Sequence, residues 1–446
     1  MSLHISRIAA RCIFLTPIVL ASTVPAWAHD AAGVYGPERL SVEAEDVPQI
    51  ETTPAEGSAP AQGSAQPIVA AQSSAPAPEA LDPIDVKVVA SQFLDAPVAG
   101  DAANTLRYGG RVDGYVRVNG SAVGASSKLT LNLRPEFRWG EDSNGAIGLI
   151  PSNTGLFRGE GRGKVDLSAS LEYKWDNGTL LELGKLNVLD VTKVTPLKAS
   201  NGHIGFQNLG ISLPPTAIAP NTFTGAALTV PTKKVIYRLW VFDVDSQYQR
   251  SGLEDPFENG VAFLASATRI ANIGGDPGYY TFALVGSSRD DFARDLLPSA
   301  LVPPPPPVGT FGDESGELAV QLSGYQYVER YPEAKGKGWG IMARFHATMG
   351  DPTFLDYSGY FGVAGNPRFR PQDRFGLVYF HYSLTNELVD DIAFRLELED
   401  EQGVEAFYTY QFDDWLGVTA NVQVVDSTIA ARSTGVLAGL RLTTEF

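Results

Sequence analysis

The stretch VDLSASLEYKW at residues 165–175 alternates without a break. Val165, Leu167, Ala169, Leu171, Tyr173 and Trp175 fall on one face, and Asp166, Ser168, Ser170, Glu172 and Lys174 on the other. Successive side chains of an extended strand point to opposite faces, so the segment predicts a β-strand with one apolar and one polar surface. The same period recurs on both sides of it. Leu129, Leu131, Leu133, Phe137 and Trp139 oppose Thr130, Asn132, Arg134, Glu136 and Arg138. Trp339, Ile341, Ala343 and Phe345 oppose Met342, Arg344 and His346, and Val404, Ala406, Tyr408, Tyr410 and Phe412 oppose Glu405, Thr409 and Gln411. Further runs follow at 416–424 and at 436–446, the last ending on Phe446.

A soluble sandwich also alternates, so run length carries the choice of solvent. Several runs reach the roughly 9 to 11 residues that a tilted strand needs to cross a bilayer, whereas soluble strands average about 5 to 6. Trp175, Trp339, Tyr408, Phe412, Trp415 and Phe446 stand near run ends, where an interfacial aromatic girdle would place them. The fold expected is all-β, a transmembrane antiparallel β-barrel. About fifteen runs follow Arg107, and single-chain barrels favour even numbers, so a further strand is expected between Ile84 and Arg107, giving about 16 strands.

Residues 1–28 read as a cleaved secretory signal. Arg7 and Arg11 give a basic start, 13–24 an apolar core, and Ala26-Trp27-Ala28 a small-x-small cleavage site. The only cysteine, Cys12, lies in that leader, which excludes disulfides, cysteine nucleophiles and thiolate metal sites from the remainder. Residues 29–107 read as a disordered Ala-, Pro- and acid-rich periplasmic tail or linker, with 108–446 as the barrel domain. The formal charge of −17 disfavours nucleic-acid binding. His203, His346 and His381 are too scattered to suggest a metal site, and no cofactor is expected.

Requiring the chain to end in the periplasm orients every connection. The short links 176–178, 231–234 and 413–414 then fall on the periplasmic side. The long ones, 140–162, 189–221, 245–259, 289–315 with Pro303–Pro307, and 384–402, fall on the outer side. Glu387–Leu396 within the last of these can form a short helix. That asymmetry is the one transmembrane barrels show.

A passive pore needs a narrowed lumen whose polar groups replace water around the solute. Arg134, Glu136, Arg138, Glu172, Lys174 and Arg344 are the inward charges expected to line it. The connection 189–221 is long enough to fold into the pore. It could present Asp190, Lys193, Asn201, His203, Gln207 and Asn208 to a solute and stack Phe206 on a sugar ring.

Several ordered motifs then resemble the carbohydrate-selective porin family of the OprB type. They are Tyr108-Gly109-Gly110-Arg111-Val112-Asp113, Leu149-Ile150-Pro151-Ser152-Asn153-Thr154, Gly184-Lys185-Leu186-Asn187-Val188-Leu189-Asp190, Gly338-Trp339-Gly340 and the run from Asp400 to Tyr408 followed by Asp414-Trp415-Leu416. The family's Leu-Pro-Val-Asn-Thr appears here with Ser152 at its third place. The resemblance implies a sixteen-stranded outer-membrane barrel admitting glucose and related sugars by facilitated diffusion, without a cofactor. It also implies that Phe446 is read by the barrel-assembly machinery. Three alternatives are a general or ion-selective porin, a barrel lipase with a lipid-facing Ser and His, and a secreted β-sandwich adhesin. The sequence leaves open whether the barrel is a monomer or a homotrimer.

Overall fold

The computed structural model describes residues 83–102, 104–157, 164–191, 202–212, 220–290, 310–334, 336–351 and 353–446. The leader with Cys12, the tail to residue 82, Lys193, Asn201 and the Pro303–Pro307 run lie outside the described residues.

Sixteen antiparallel strands close into one barrel. They are β1 (Ile84–Ala99), β2 (Arg107–Asn119), β3 (Leu129–Gly140), β4 (Val165–Lys174), β5 (Leu180–Asn187), β6 (Thr222–Pro231), β7 (Val235–Asp243) and β8 (Val261–Ile273). The circuit continues with β9 (Asp276–Ser287), β10 (Glu317–Arg330), β11 (Gly338–Met349), β12 (Leu355–Gly365), β13 (Arg374–Leu384), β14 (Glu401–Asp413), β15 (Leu416–Asp426) and β16 (Gly435–Glu445). β1 lies in the interval between Ile84 and Arg107 where the even count required a strand, so the barrel begins at Ile84 and not at Tyr108.

β1 also pairs with β16, and the seam ends with reciprocal bonds of 2.9 Å between the backbones of Val88 and Phe446. No strand is left with an unpaired edge, which is the condition for backbone in hydrocarbon.

The two faces separate as the period requires. On β4, Leu167 and Leu171 are about half exposed on the outer wall while Asp166, Ser168 and Ser170 are buried inside. On β3, Leu131 and Phe137 face out, and Arg134, Glu136 and Arg138 face in. The outer wall is thus aliphatic and aromatic, the inverse of a soluble barrel's surface, with its polar residues turned to the lumen. Trp415 and Phe446 stand with ring centroids 6.0 Å apart at the end where the chain finishes.

The connections at that end are the tighter ones. Between Ile273 and Asp276 only Gly274 and Gly275 intervene, with φ of 66° and 93°. Both central residues of a type I′ turn need positive φ, which glycine supplies without a Cβ clash. The predicted links at 176–178, 231–234 and 413–414 fall at this short-turn end, together with the longer 120–128, 331–337 and 366–373. The opposite, long-loop end carries the predicted long connections as well as the shorter 100–106 and 350–354. Among the described residues three short helices lie in its loops: α1 (Val188–Val191), α2 (Leu209–Ser212) and α3 (Asn386–Ile392). α3 covers the first part of Glu387–Leu396, the segment whose sequence allows a short helix.

Candidate pore constriction

The inward face of β2 and β3 gathers charge because alternation places Arg111 and Asp113 on one strand beside Arg134, Glu136 and Arg138 on the other. Their register sets Arg111 opposite Arg138 and Asp113 opposite Glu136. Arg111 donates through Nε and Nη2 to both Asp113 oxygens at 2.9 and 2.7 Å, and through Nη2 to Glu136 at 2.8 Å. Arg134 Nη2 reaches the same Asp113 oxygen at 2.6 Å, and its Nη1 lies 2.9 Å from Asp190 on α1. Arg138 Nε stands 2.6 Å from Glu136. Charges this buried are tolerable only when paired and hydrogen-bonded. Here Arg111, Arg134 and Arg138 meet Asp113, Glu136 and Asp190 one for one.

Two aromatic faces complete this wall. Tyr115 lies under the Arg134 guanidinium at 5.4 Å, and Tyr248, from the 244–260 loop, under Arg138 at 5.4 Å. Burial pushes the Tyr248 hydroxyl up to about 12, so it stays protonated near neutrality.

The segment 202–212, part of the connection expected to form a constriction, runs inside the barrel and bonds to seven strands of the wall, β1, β2, β11, β13, β14, β15 and β16. His203 meets Ser91 of β1 through Nδ1 at 3.0 Å and Asp113 of β2 through Nε2 at 3.0 Å. Arg441 of β16 donates to the Gly205 carbonyl at 2.9 Å. Glu405 of β14 accepts the backbone N–H groups of Gln207 and Asn208 at 2.6 and 2.9 Å. Arg344 of β11 donates to the Gly210 carbonyl and lies 4.5 Å over the Tyr360 ring. Phe206 is fully buried, edge-on to Phe407 at 4.8 Å. A Cβ on Gly376 would come within 2.5 Å of both rings, so glycine there makes room for the anchor.

A second loop enters beside it. Residues 143–157, part of the connection 140–162 that the sequence presents only as a long outer one, fold inward. Asn153 Nδ2 donates to Asp95 at 2.6 Å, Gln423 Nε2 to the Ser152 carbonyl at 2.7 Å, and the Leu149 and Ile150 N–H groups to Glu401. The two loops are joined backbone to backbone, Thr154 N to Gln207 O and Leu209 N to Pro151 O, both at 2.8 Å.

The predicted lining residues thus divide. Arg134, Glu136, Arg138 and Asp190 form one network. Glu172 pairs with Arg117 at 3.2 Å on the neighbouring inner wall. Lys174 is exposed at the short-turn end of β4, apart from the others. Arg344 holds loop backbone, Phe206 packs as an anchor, and Lys193 is outside the described residues. His346 is inward and buried, as its strand parity required. His381 faces outward with Leu377 and Tyr379, its Nε2 3.3 Å from Asp400. Arg111, Asp113 and Glu401 stand in the motifs that carry the resemblance, but neither they nor Arg441 are among the lining residues that the sequence reading expects. Strand parity alone would have turned each inward. Among the described residues no group of His, Cys, Asp and Glu is placed to hold a metal ion.

A closed sixteen-stranded barrel with loops tied across its lumen is a porin architecture. The family model described as "Carbohydrate-selective porin, OprB family" matches residues 103–446. The chain belongs to that family. As an OprB-family porin it is a channel of the bacterial outer membrane. Its fold is similar to the high-pH structure of Pseudomonas putida OprB, with a TM-score of 0.67 at 16% identity, covering 81% of this chain and 94% of that one. It is also similar to the outer-membrane channel DcaP of Acinetobacter baumannii, with a TM-score of 0.50 at 11% identity, covering 81% and 97%. No curated protein sequence matches the chain. The architecture is that of a channel.

Proposed function

We propose that this OprB-family porin carries carbohydrates, glucose and related mono- or oligosaccharides, into the periplasm by facilitated diffusion. The observation that supports it is the balanced wall at Arg111, Asp113, Arg134, Glu136, Arg138 and Asp190, facing a loop tied across the lumen. A sugar is neutral and offers hydroxyls that both donate and accept. Guanidinium N–H groups and carboxylate oxygens alternating along one wall can trade partners with those hydroxyls, and equal numbers of each sign bind no single ion strongly. An ion-selective pore would instead be lined by one sign. Passage requires no nucleophile and no cofactor.

In this reading the long-loop end faces outward and the acidic tail before Ile84 lies in the periplasm. Phe446, paired to Val88 across the seam, is the residue presented to the barrel-assembly machinery. Deleting Phe446 should cut the outer-membrane yield, and an unchanged yield refutes that role.

The purified protein in planar bilayers should form channels whose current falls as glucose or a maltodextrin is added. Channels that conduct ions but ignore every sugar would establish a general porin instead, and liposomes that swell no faster than empty ones in sugar would overturn the reading.

A further inference from the structure

The inward face of β14 carries two buried glutamates four residues apart, and each is spent on loop backbone. Glu401 accepts the consecutive N–H groups of Leu149 and Ile150, with Thr428 Oγ1 3.2 Å away. Glu405 accepts those of Gln207 and Asn208. Four residues of strand span about 13 Å, so the two carboxylates hold the loops at two depths of the pore. The loops are bonded to each other at Thr154–Gln207 and Pro151–Leu209, and Thr154 Oγ1 also donates to the Gln207 carbonyl at 2.7 Å.

A carboxylate is the acceptor that suits two adjacent N–H groups, because it offers two oxygens and no donor. An amide replaces one oxygen with an N–H₂ that faces an N–H. The geometry therefore does more than keep strand β14 in place.

We infer that Glu401 and Glu405 are positioning residues that clamp loops 143–157 and 202–212 into a single unit, and that this unit sets the aperture. The inference rests on the reading of the chain as a sugar-conducting pore. It deepens that reading by placing control of the aperture on β14, four strands along the wall from β2 and apart from the charged pair of β2 and β3. Neither glutamate need touch the solute. A further consequence is that Glu401, which bonds the first of these two loops and not the second, acts on the aperture formed by the second.

The test is single-channel recording of Glu401→Ala, Glu405→Ala and the double variant in planar bilayers, each checked for folding by its heat-modifiable gel migration. Thr409→Val on the same inner face serves as control, since the Thr409 hydroxyl bonds Thr419 at 2.8 Å. Each single variant should raise conductance about twofold and weaken block by glucose, with Glu→Gln intermediate and Thr409→Val unchanged. The double variant should match the larger single effect and not the product of the two, as expected for groups acting on one unit. A merely structural role would lower folding yield but leave the conductance of inserted channels at the wild-type value, which overturns the inference. Independent, multiplying effects overturn the single-unit claim. If an alanine variant does not insert, the Gln pair decides by the same criteria. A wild-type channel that no sugar blocks refutes the underlying reading, a result separable from every variant outcome.

Discussion

Arg134→Ala should turn the balanced wall cation-selective. The network pairs Arg111, Arg134 and Arg138 with Asp113, Glu136 and Asp190, so removing one guanidinium leaves one uncompensated negative charge. At about 6 Å from a permeating ion, one unit charge is worth about 0.7 kcal/mol at the dielectric constant of water. Screening in about 0.1 M salt, with a Debye length of about 10 Å, reduces that to about 0.4 kcal/mol. The charge attracts K⁺ and repels Cl⁻ by that amount each, so the permeability ratio moves about fourfold toward the cation. In a tenfold KCl gradient this shifts the zero-current potential by about 30 mV relative to the wild type, on the scale of about 59 mV per decade for one charge. The assay is reversal-potential measurement on folded, inserted channels, with Arg134→Lys as a control that keeps the charge and should stay near the wild-type potential. Asp113 retains its bidentate partner Arg111 in the variant, and Arg111 still reaches Glu136 on β3 at 2.8 Å, so the backbone ladder between β2 and β3 keeps a charged tie across it. A reversal potential that does not move in correctly folded Arg134→Ala channels would falsify the placement of this wall on the conduction path.

Two more outcomes follow from the loop contacts and the short-turn end. Gly210→Ala would put a Cβ 1.5 Å from the Tyr382 hydroxyl oxygen and 2.2 Å from the ring carbon that bears it, so the 202–212 segment must shift and conductance and sugar block should both change. Identical currents in Gly210→Ala and wild type would show that this segment does not bound the aperture. Asp373, before β13, is the other case: burial pushes its carboxyl up, but the Tyr408 hydroxyl at 2.6 Å, the Gln411 N–H at 2.9 Å and Arg370 at 2.9 Å outweigh burial and hold it below the ordinary carboxylate range. Because the folded value is depressed, its contribution is present above the unfolded carboxylate value near pH 4 and is lost as pH falls through the folded one. Asp373→Asn should therefore cost about 1 to 3 kcal/mol in denaturant unfolding at pH 7 and much less near pH 2. An equal cost at both pH values would refute the assignment.

The period of two in 165–175 and its counterparts was sufficient to give the all-β fold, the membrane-facing wall, the strand count and the inward direction of Arg134, Glu136 and Arg138. These are local properties: each follows from which side of an extended backbone a residue occupies, whatever stands next to it in space. The length of 189–221 likewise pointed to a segment able to enter the pore. What the inward residues do was decided only by closure. Glu401 meets Leu149, 252 positions away, because β14 and the loop after β3 face one another across a closed circuit. Phe206, read as a ring for sugar to stack on, instead packs on Phe407, and Arg344, read as a lining charge, is tied to Gly210. Alternation says that a side chain points inward but not whether a loop will be there to take it. That depends on pairings between distant segments, which exist only once the barrel has closed.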